Sequence, residues 1–151
     1  MLCCYLPKQI SHFEIGLYNE PAIDQNIKTL VTESLQNMPN LAVLGLRFSN
    51  TSLTQESLRT LCSYLYQKTK IKNLVLDFTK ASIDDDNVCH FVNKIAPSMP
   101  NLQYCHFNAS NCPLINSTLD KIVHLNSFYE WVIDFLNINI SIFRIYFHII
   151  S

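Results

Sequence analysis

Residues 38–62 read MPNLAVLGLRFSNTSLTQESLRTLC, and the phrase that opens them returns at 99–112 as MPNLQYCHFNASNC. The two Met-Pro-Asn-Leu phrases begin at Met38 and Met99, and half of that separation is the period of the chain. Each unit opens with an apolar-x-x-apolar-x-apolar triplet. The four triplets are Ile10/Phe13/Ile15, Leu41/Leu44/Leu46, Ile71/Leu74/Leu76 and Leu102/Cys105/Phe107. Their starts recur with a nearly constant step, the second unit being one residue shorter than the first and third. Alternation of this kind suits a short strand with one buried face.

The second half of each unit keeps register with the first. Twelve or thirteen residues after the triplet starts stand Ile23, Leu53, Ile83 and Ile115. Further on come Ile27/Leu30/Val31, Leu58/Leu61/Cys62, Val88/Phe91/Val92 and Leu119/Ile122/Val123. Their i, i+3, i+4 spacing forms one stripe of an amphipathic helix. Thr54-Gln55-Glu56 and Asp84-Asp85-Asp86 supply caps and negative charge where helix N-termini favour them. Pro21, Pro39, Pro97, Pro100 and Pro113 are placed in turns, outside the triplets and helix stripes.

A polar position repeats as well. Nine residues after the triplet starts lie Asn19, Asn50, Lys80 and Asn111. The three asparagines are expected to form a structural ladder, satisfying backbone groups of the neighbouring turn, with an interruption at Lys80. A strand with one amphipathic helix cannot bury its own apolar face. Stacking of neighbouring units buries it, giving a parallel sheet covered by helices.

The run Leu41-x-x-Leu44-x-Leu46, Asn50-x-x-Leu53, Leu58-x-x-Leu61 resembles a leucine-rich repeat of the ribonuclease-inhibitor-like subtype. The resemblance spans residues 10 to about 125. It implies an α/β fold: a right-handed β-α horseshoe fragment, with a parallel β-sheet on the concave side and α-helices on the convex side. It also implies protein–protein recognition on the concave face. The chain departs from the subtype in its longer units, in an asparagine one residue late, and in lacking a glycine before the helix. A looser turn between strand and helix is the expectation. The organisation read from sequence is an N-terminal extension over 1–9, four units over 10–126 and a hydrophobic tail over 127–151.

Composition narrows the function. Hydrophobic residues make up 48% of the 151 residues, enough for a core rather than a disordered segment. Lys+Arg 11 against Asp+Glu 12 leaves net −1, with no field for nucleic acid or an anionic membrane. Only Gly16 and Gly45 are present, so neither a dinucleotide fingerprint nor a phosphate loop can be built, and no cofactor is expected.

The cysteines Cys3, Cys4, Cys62, Cys89, Cys105 and Cys112 form no C-x-x-C pair. Met1–Leu6 has no basic flank of a signal peptide, so the thiols read as free, mostly small core hydrophobes, in the cytoplasm. Sequons at Asn50, Asn108, Asn116 and Asn139 would matter only in a secreted chain. Asp84–Asp86 lacks the glycine and the terminal glutamate of a calcium loop and is read as helix capping, with no metal. Cys89-His90 and Cys105-His106 are adjacent pairs whose side chains diverge, so neither is a dyad; no catalytic residue is expected.

The candidate partner-binding residues are those pointing out of the concave sheet: His12 and Glu14, Val43 and Arg47, Asn73, Val75 and Asp77, and Tyr104, His106 and Asn108. Arg47 is expected beside Asp77 and Tyr104 beside Asn73. Tyrosine and arginine are frequent interface anchors, so an unidentified protein partner is expected. The alternative is a regulatory or substrate-recognition region of a larger enzyme, of kinase or ubiquitin-ligase type; a third reading is a membrane-tethered repeat protein.

Three readings of the tail stay open. It is a fifth unit built on Ile133, Leu136, Ile138, Ile145 and Ile150, a membrane anchor, or a non-native tail of AT-rich codon composition. The run 135–150 carries Asn137, Asn139, Arg144 and His148 and is short for a span, which disfavours a membrane. With no polar cap before Ile10, the chain reads as a piece of a longer repeat protein whose open ends can self-associate.

Overall fold

The computed structural model describes residues 9–19, 23–112, 130–137 and 140–148. It is an α/β protein built on one six-stranded sheet with strands in sequence order. Strands β1 (His12–Gly16), β2 (Val43–Arg47), β3 (Asn73–Asp77) and β4 (Tyr104–Asn108) run parallel, each starting two residues after the start of its triplet. The period read from sequence is thus the step from one strand to the next. Helix α1 (Ile23–Thr29) follows β1, α2 (Gln55–Tyr66) follows β2 and α3 (Asp85–His90) follows β3.

The triplet anchors face the helices. Leu44, Leu46, Leu74, Leu76, Cys105 and Phe107 are fully or almost fully buried and share one core with Ile27, Leu30, Leu58, Leu61, Val88 and Val92. Phe13 and Ile15 of the edge strand β1 are only partly buried against it. The residue seven places into each unit is a further anchor. Phe48 stacks on Phe78 at 5.7 Å between ring centroids, Phe78 meets Phe107 at 5.5 Å, and Phe107 stacks on Phe91 at 4.9 Å. Rings at these separations gain about 0.5–1.5 kcal/mol per pair beyond simple burial.

Unit length decides how each helix ends. The shorter second unit has a regular α2. In the first unit, one residue longer, α1 continues into a π-turn over Leu30–Ser34 and a 3-10 turn over Leu35–Asn37. The third unit repeats this, with Phe91–Ile95 and Ala96–Ser98 after α3. A π-turn accommodates one extra residue without breaking the helix, so the buried stripe keeps facing the sheet. Pro97 therefore lies within a closing 3-10 turn, where a missing N–H is tolerated, rather than between elements. The repeated phrase fastens the units. Met38 and Met99 are buried, Lys70 Nζ donates to Asn40 Oδ1 at 2.9 Å, and Asn101 Nδ2 donates to the Thr69 carbonyl at 2.7 Å.

The strand-to-helix connection is closed rather than loose. Asn19, Asn50, Lys80 and Asn111 all adopt the left-handed conformation, with φ of 57°, 56°, 57° and 59°. Ala81 N donates to Phe78 O and Cys112 N to Ala109 O, at 2.8 and 3.3 Å, while Thr51 Oγ1 reaches Phe48 O at 2.6 Å. Asparagine tolerates positive φ, so it holds the turn that a glycine could otherwise form. Main-chain bonds, rather than asparagine side chains reaching the neighbouring backbone, join these turns: Asn50 N donates to Thr79 O and Lys80 N to Ser110 O, both at 2.8 Å. Asn50 Nδ2 also donates to Asn19 Oδ1 at 2.6 Å. The interruption at Lys80 is confined to the side chain; its backbone keeps the turn.

The tail enters the sheet in a different register from the one expected. β5 (Glu130–Asn137) lies parallel to β4 with Trp131 opposite Cys105 and Ile133 opposite Phe107. Ile133 therefore aligns with the third position of a triplet rather than the first. β6 (Ile140–His148) then returns antiparallel, from Asn137↔Ile140 to Glu130↔His148, in place of a further strand–helix unit. Two long, β-branched and aromatic stretches so close in sequence favour a hairpin over a crossover. The fourth helix stripe, Leu119/Ile122/Val123, together with Ile115, Pro21, Pro113, Cys3, Cys4 and Asn116, falls outside the described residues. No helix among the described residues is long and apolar enough to cross a membrane.

Candidate interaction face

Pleating sends alternate side chains of β1–β4 away from the helices. Three rows cross this open face: His12–Val43–Asn73–Tyr104, Glu14–Gly45–Val75–His106 and Gly16–Arg47–Asp77–Asn108. In backbone register they continue to Glu130, Val132 and Asp134. The ten expected face residues share one side of the sheet. His12 and Glu14 are exposed; Val43, Arg47, Asn73, Val75, Asp77, Tyr104, His106 and Asn108 are half-buried.

Arg47 stands opposite Asp77 in register, yet its ion pair is made on the other side. Arg47 Nη1 donates to Glu14 Oε2 at 2.8 Å, and Glu14 Oε1 meets His12 Nε2 at 3.1 Å. The guanidinium, and then His12, hold the Glu14 carboxyl below its ordinary value; Glu14 in turn raises Arg47. Gly45 makes this possible, since a Cβ there would stand 2.7 Å from Glu14 Cγ. Both partners are more than a third exposed, so the pair is worth about 0–1 kcal/mol at most.

Asp77 is occupied elsewhere. Its Oδ1 accepts from Thr79 N at 2.9 Å and Thr79 Oγ1 at 2.6 Å, and Asn108 Oδ1 accepts from Ser110 N at 3.0 Å. These residues set up the left-handed turn that follows each strand. From sequence they were expected only to face a partner; the signal missed was an Asp or Asn two residues before Thr or Ser at the strand end. Asn19 and Asn50 line a shallow groove along those turns with Lys80 and Tyr18, a residue 52% exposed.

Two contacts between helices also escaped the sequence reading. Asp24 Oδ1 of α1 accepts from Thr54 N at 3.1 Å and Ser57 Oγ at 2.5 Å, tying α1 to the start of α2. Buried Tyr64 donates its hydroxyl to the Leu35 carbonyl at 3.1 Å, satisfying a group at the end of the first helical segment. The caps fall where expected: Thr54 Oγ1 accepts from Ser57 N, and Asp84 Oδ1 from Asn87 N at 2.9 Å.

The Cys105-His106 pair is split by the fold. Cys105 is buried among the core anchors, while His106 lies on the opposite face. Burial pushes the Cys62 and Cys112 thiols up to about 11 and Cys105 higher still, the reverse of what a nucleophile needs. Among the described residues, no cluster of three His, Cys, Asp or Glu side chains could hold a metal ion. Comparison with protein-family models, curated proteins and solved structures gives no match.

Proposed function

We propose that this chain is a short leucine-rich repeat solenoid that recognises a protein through the concave face of its sheet and performs no catalysis. The observation that carries the reading is the open sheet face. Four strands in unbroken register present a mixed polar surface on the side away from the helices. A face stacked at about 4.8 Å per strand is rigid, so a partner meets side chains that are already positioned. Tyr104 and Arg47 are its anchors. Glu14 orients Arg47 across Gly45, and Val43 and Val75 supply apolar patches between them. The compartment that fits such a module is the cytoplasm.

The test is affinity capture with the full chain, compared with Arg47→Glu/Tyr104→Ala. Asp77 is left intact because its carboxylate holds the Thr79 turn. A partner captured by the parent and lost by a variant of unchanged melting temperature supports the reading. A partner retained by both moves recognition off this face and overturns it.

A further inference from the structure

Between α2 and α3, on the side of the sheet opposite the interaction face, lies a cavity of about 300 Å³. Its position follows from the helix contacts. The start of α2 is tied to α1 by Asp24, through Thr54 N and Ser57 Oγ. One unit later, Asp84 and Asn87 satisfy each other within α3 instead. Thr54 caps its own helix through Ser57 N. Neither Thr54 nor Asp84 thus bridges α2 to α3, and between these helices lies a wedge that reaches down to the sheet.

The floor of this wedge is aromatic, formed by Phe78 and Phe107, and Cys62 of α2 lines one wall. At the mouth stand Arg59 on α2 and Asp86 on α3. They carry opposite charge on facing helices, yet among the described residues neither is in an ion pair. A cation and an anion flanking an apolar, ring-lined pocket form a definite chemical complement. We infer that the wedge is a binding site for a small zwitterion with an aromatic body, of the class of a free aromatic α-amino acid. Its ring rests over Phe78 and Phe107, its carboxylate meets Arg59 and its ammonium meets Asp86.

The size agrees. An apolar cavity of roughly 150 Å³ takes benzene, so about twice that volume holds a ring with a short substituted side chain. Head and body act together. The ring gains by leaving water, whereas charge-assisted hydrogen bonds at the rim select which head is accepted. The site is separate from the open sheet face, and its occupancy stands or falls independently of protein recognition there.

The test is calorimetric titration of the full chain with three probes: L-phenylalanine, 3-phenylpropionate and 2-phenylethylamine. L-Phenylalanine is expected to bind saturably at one site, and each singly charged analogue about tenfold more weakly. Arg59→Gln should weaken L-phenylalanine and phenylpropionate but leave phenylethylamine unchanged, and Asp86→Asn should do the converse. Both side chains are exposed, so neither variant threatens folding. Cys62→Phe should fill the wedge and abolish binding of all three probes while the melting temperature holds or rises. Failure of L-phenylalanine to saturate the parent chain up to about 10 mM would overturn the inference. So would equal binding of all three probes, or binding that survives in a folded Cys62→Phe chain.

Discussion

Lys80 is the one residue among the four left-handed turn positions that is poorly suited to its backbone. Its φ of 57° matches those of Asn19, Asn50 and Asn111, so the fold imposes the conformation whatever the side chain. An ordinary L-residue pays about 1–2 kcal/mol in this region, and asparagine pays less. Lys80→Asn should therefore stabilise the chain by about 0.5–1 kcal/mol, with no added freedom in the unfolded state. Lys80→Gly removes the strain fully but returns about 0.4–1 kcal/mol of unfolded-chain entropy, so its net gain is about 0–1.5 kcal/mol. Lys80→Val, branched at Cβ, should cost about 1 kcal/mol beyond lysine. Asparagine and glycine both above lysine, with valine below it, is the signature. In a chain of this length about 1 kcal/mol moves the melting temperature by about 2–4 °C, and the denaturant midpoint should move with an unchanged slope. The readout is paired thermal and urea unfolding followed by circular dichroism. Equal stability across the four side chains would refute the reasoning, because it would mean the native backbone at residue 80 is not left-handed.

Tyr64→Phe should cost about 1 kcal/mol in urea unfolding, since it leaves the buried Leu35 carbonyl without its donor; an unchanged midpoint would show that water replaces the hydroxyl. Cys62 and Cys112 have folded values near 11 against an ordinary 9.0, so the folded state holds their protons more tightly. Their contribution is complete below pH 9 and lost as pH rises toward 11, and Cys62→Ala/Cys112→Ala should flatten that alkaline decline in melting temperature. Asp24 is held below its ordinary 3.8, chiefly by the Ser57 hydroxyl, so its contribution is present above that value and lost on acidification. Asp24→Ala should cost about 1 kcal/mol at about pH 7, and the difference from the parent should shrink below about pH 4. Arg47→Ala should change stability by no more than about 1 kcal/mol, because its ion pair with Glu14 is solvent-exposed; a larger loss would assign the pair a structural role.

The features legible in the sequence are those that recur with a fixed step. Strand spacing, inward anchors and helix stripes follow from apolar periodicity, because a parallel sheet with one covered face admits only one phase for each strand. Leu17, Phe48, Phe78 and Ala109 obey the same step at the seventh position, so the aromatic stack was readable but lay beyond the triplet template. What stayed hidden depends on which neighbour a polar group chooses. Arg47 has Asp77 on one side and Glu14 on the other. The choice falls to Glu14 because Gly45 clears its path and Thr79 has already engaged Asp77. The same holds for the wedge between α2 and α3. Asp24 bridges to the next helix, whereas Asp84, one position off in the unit count, turns inward to cap its own. A difference of a single residue between neighbouring units is invisible as composition. It nevertheless decides where a helix widens into a π-turn. The recurring step thus fixes the scaffold, and its small irregularities decide which neighbour each polar side chain meets.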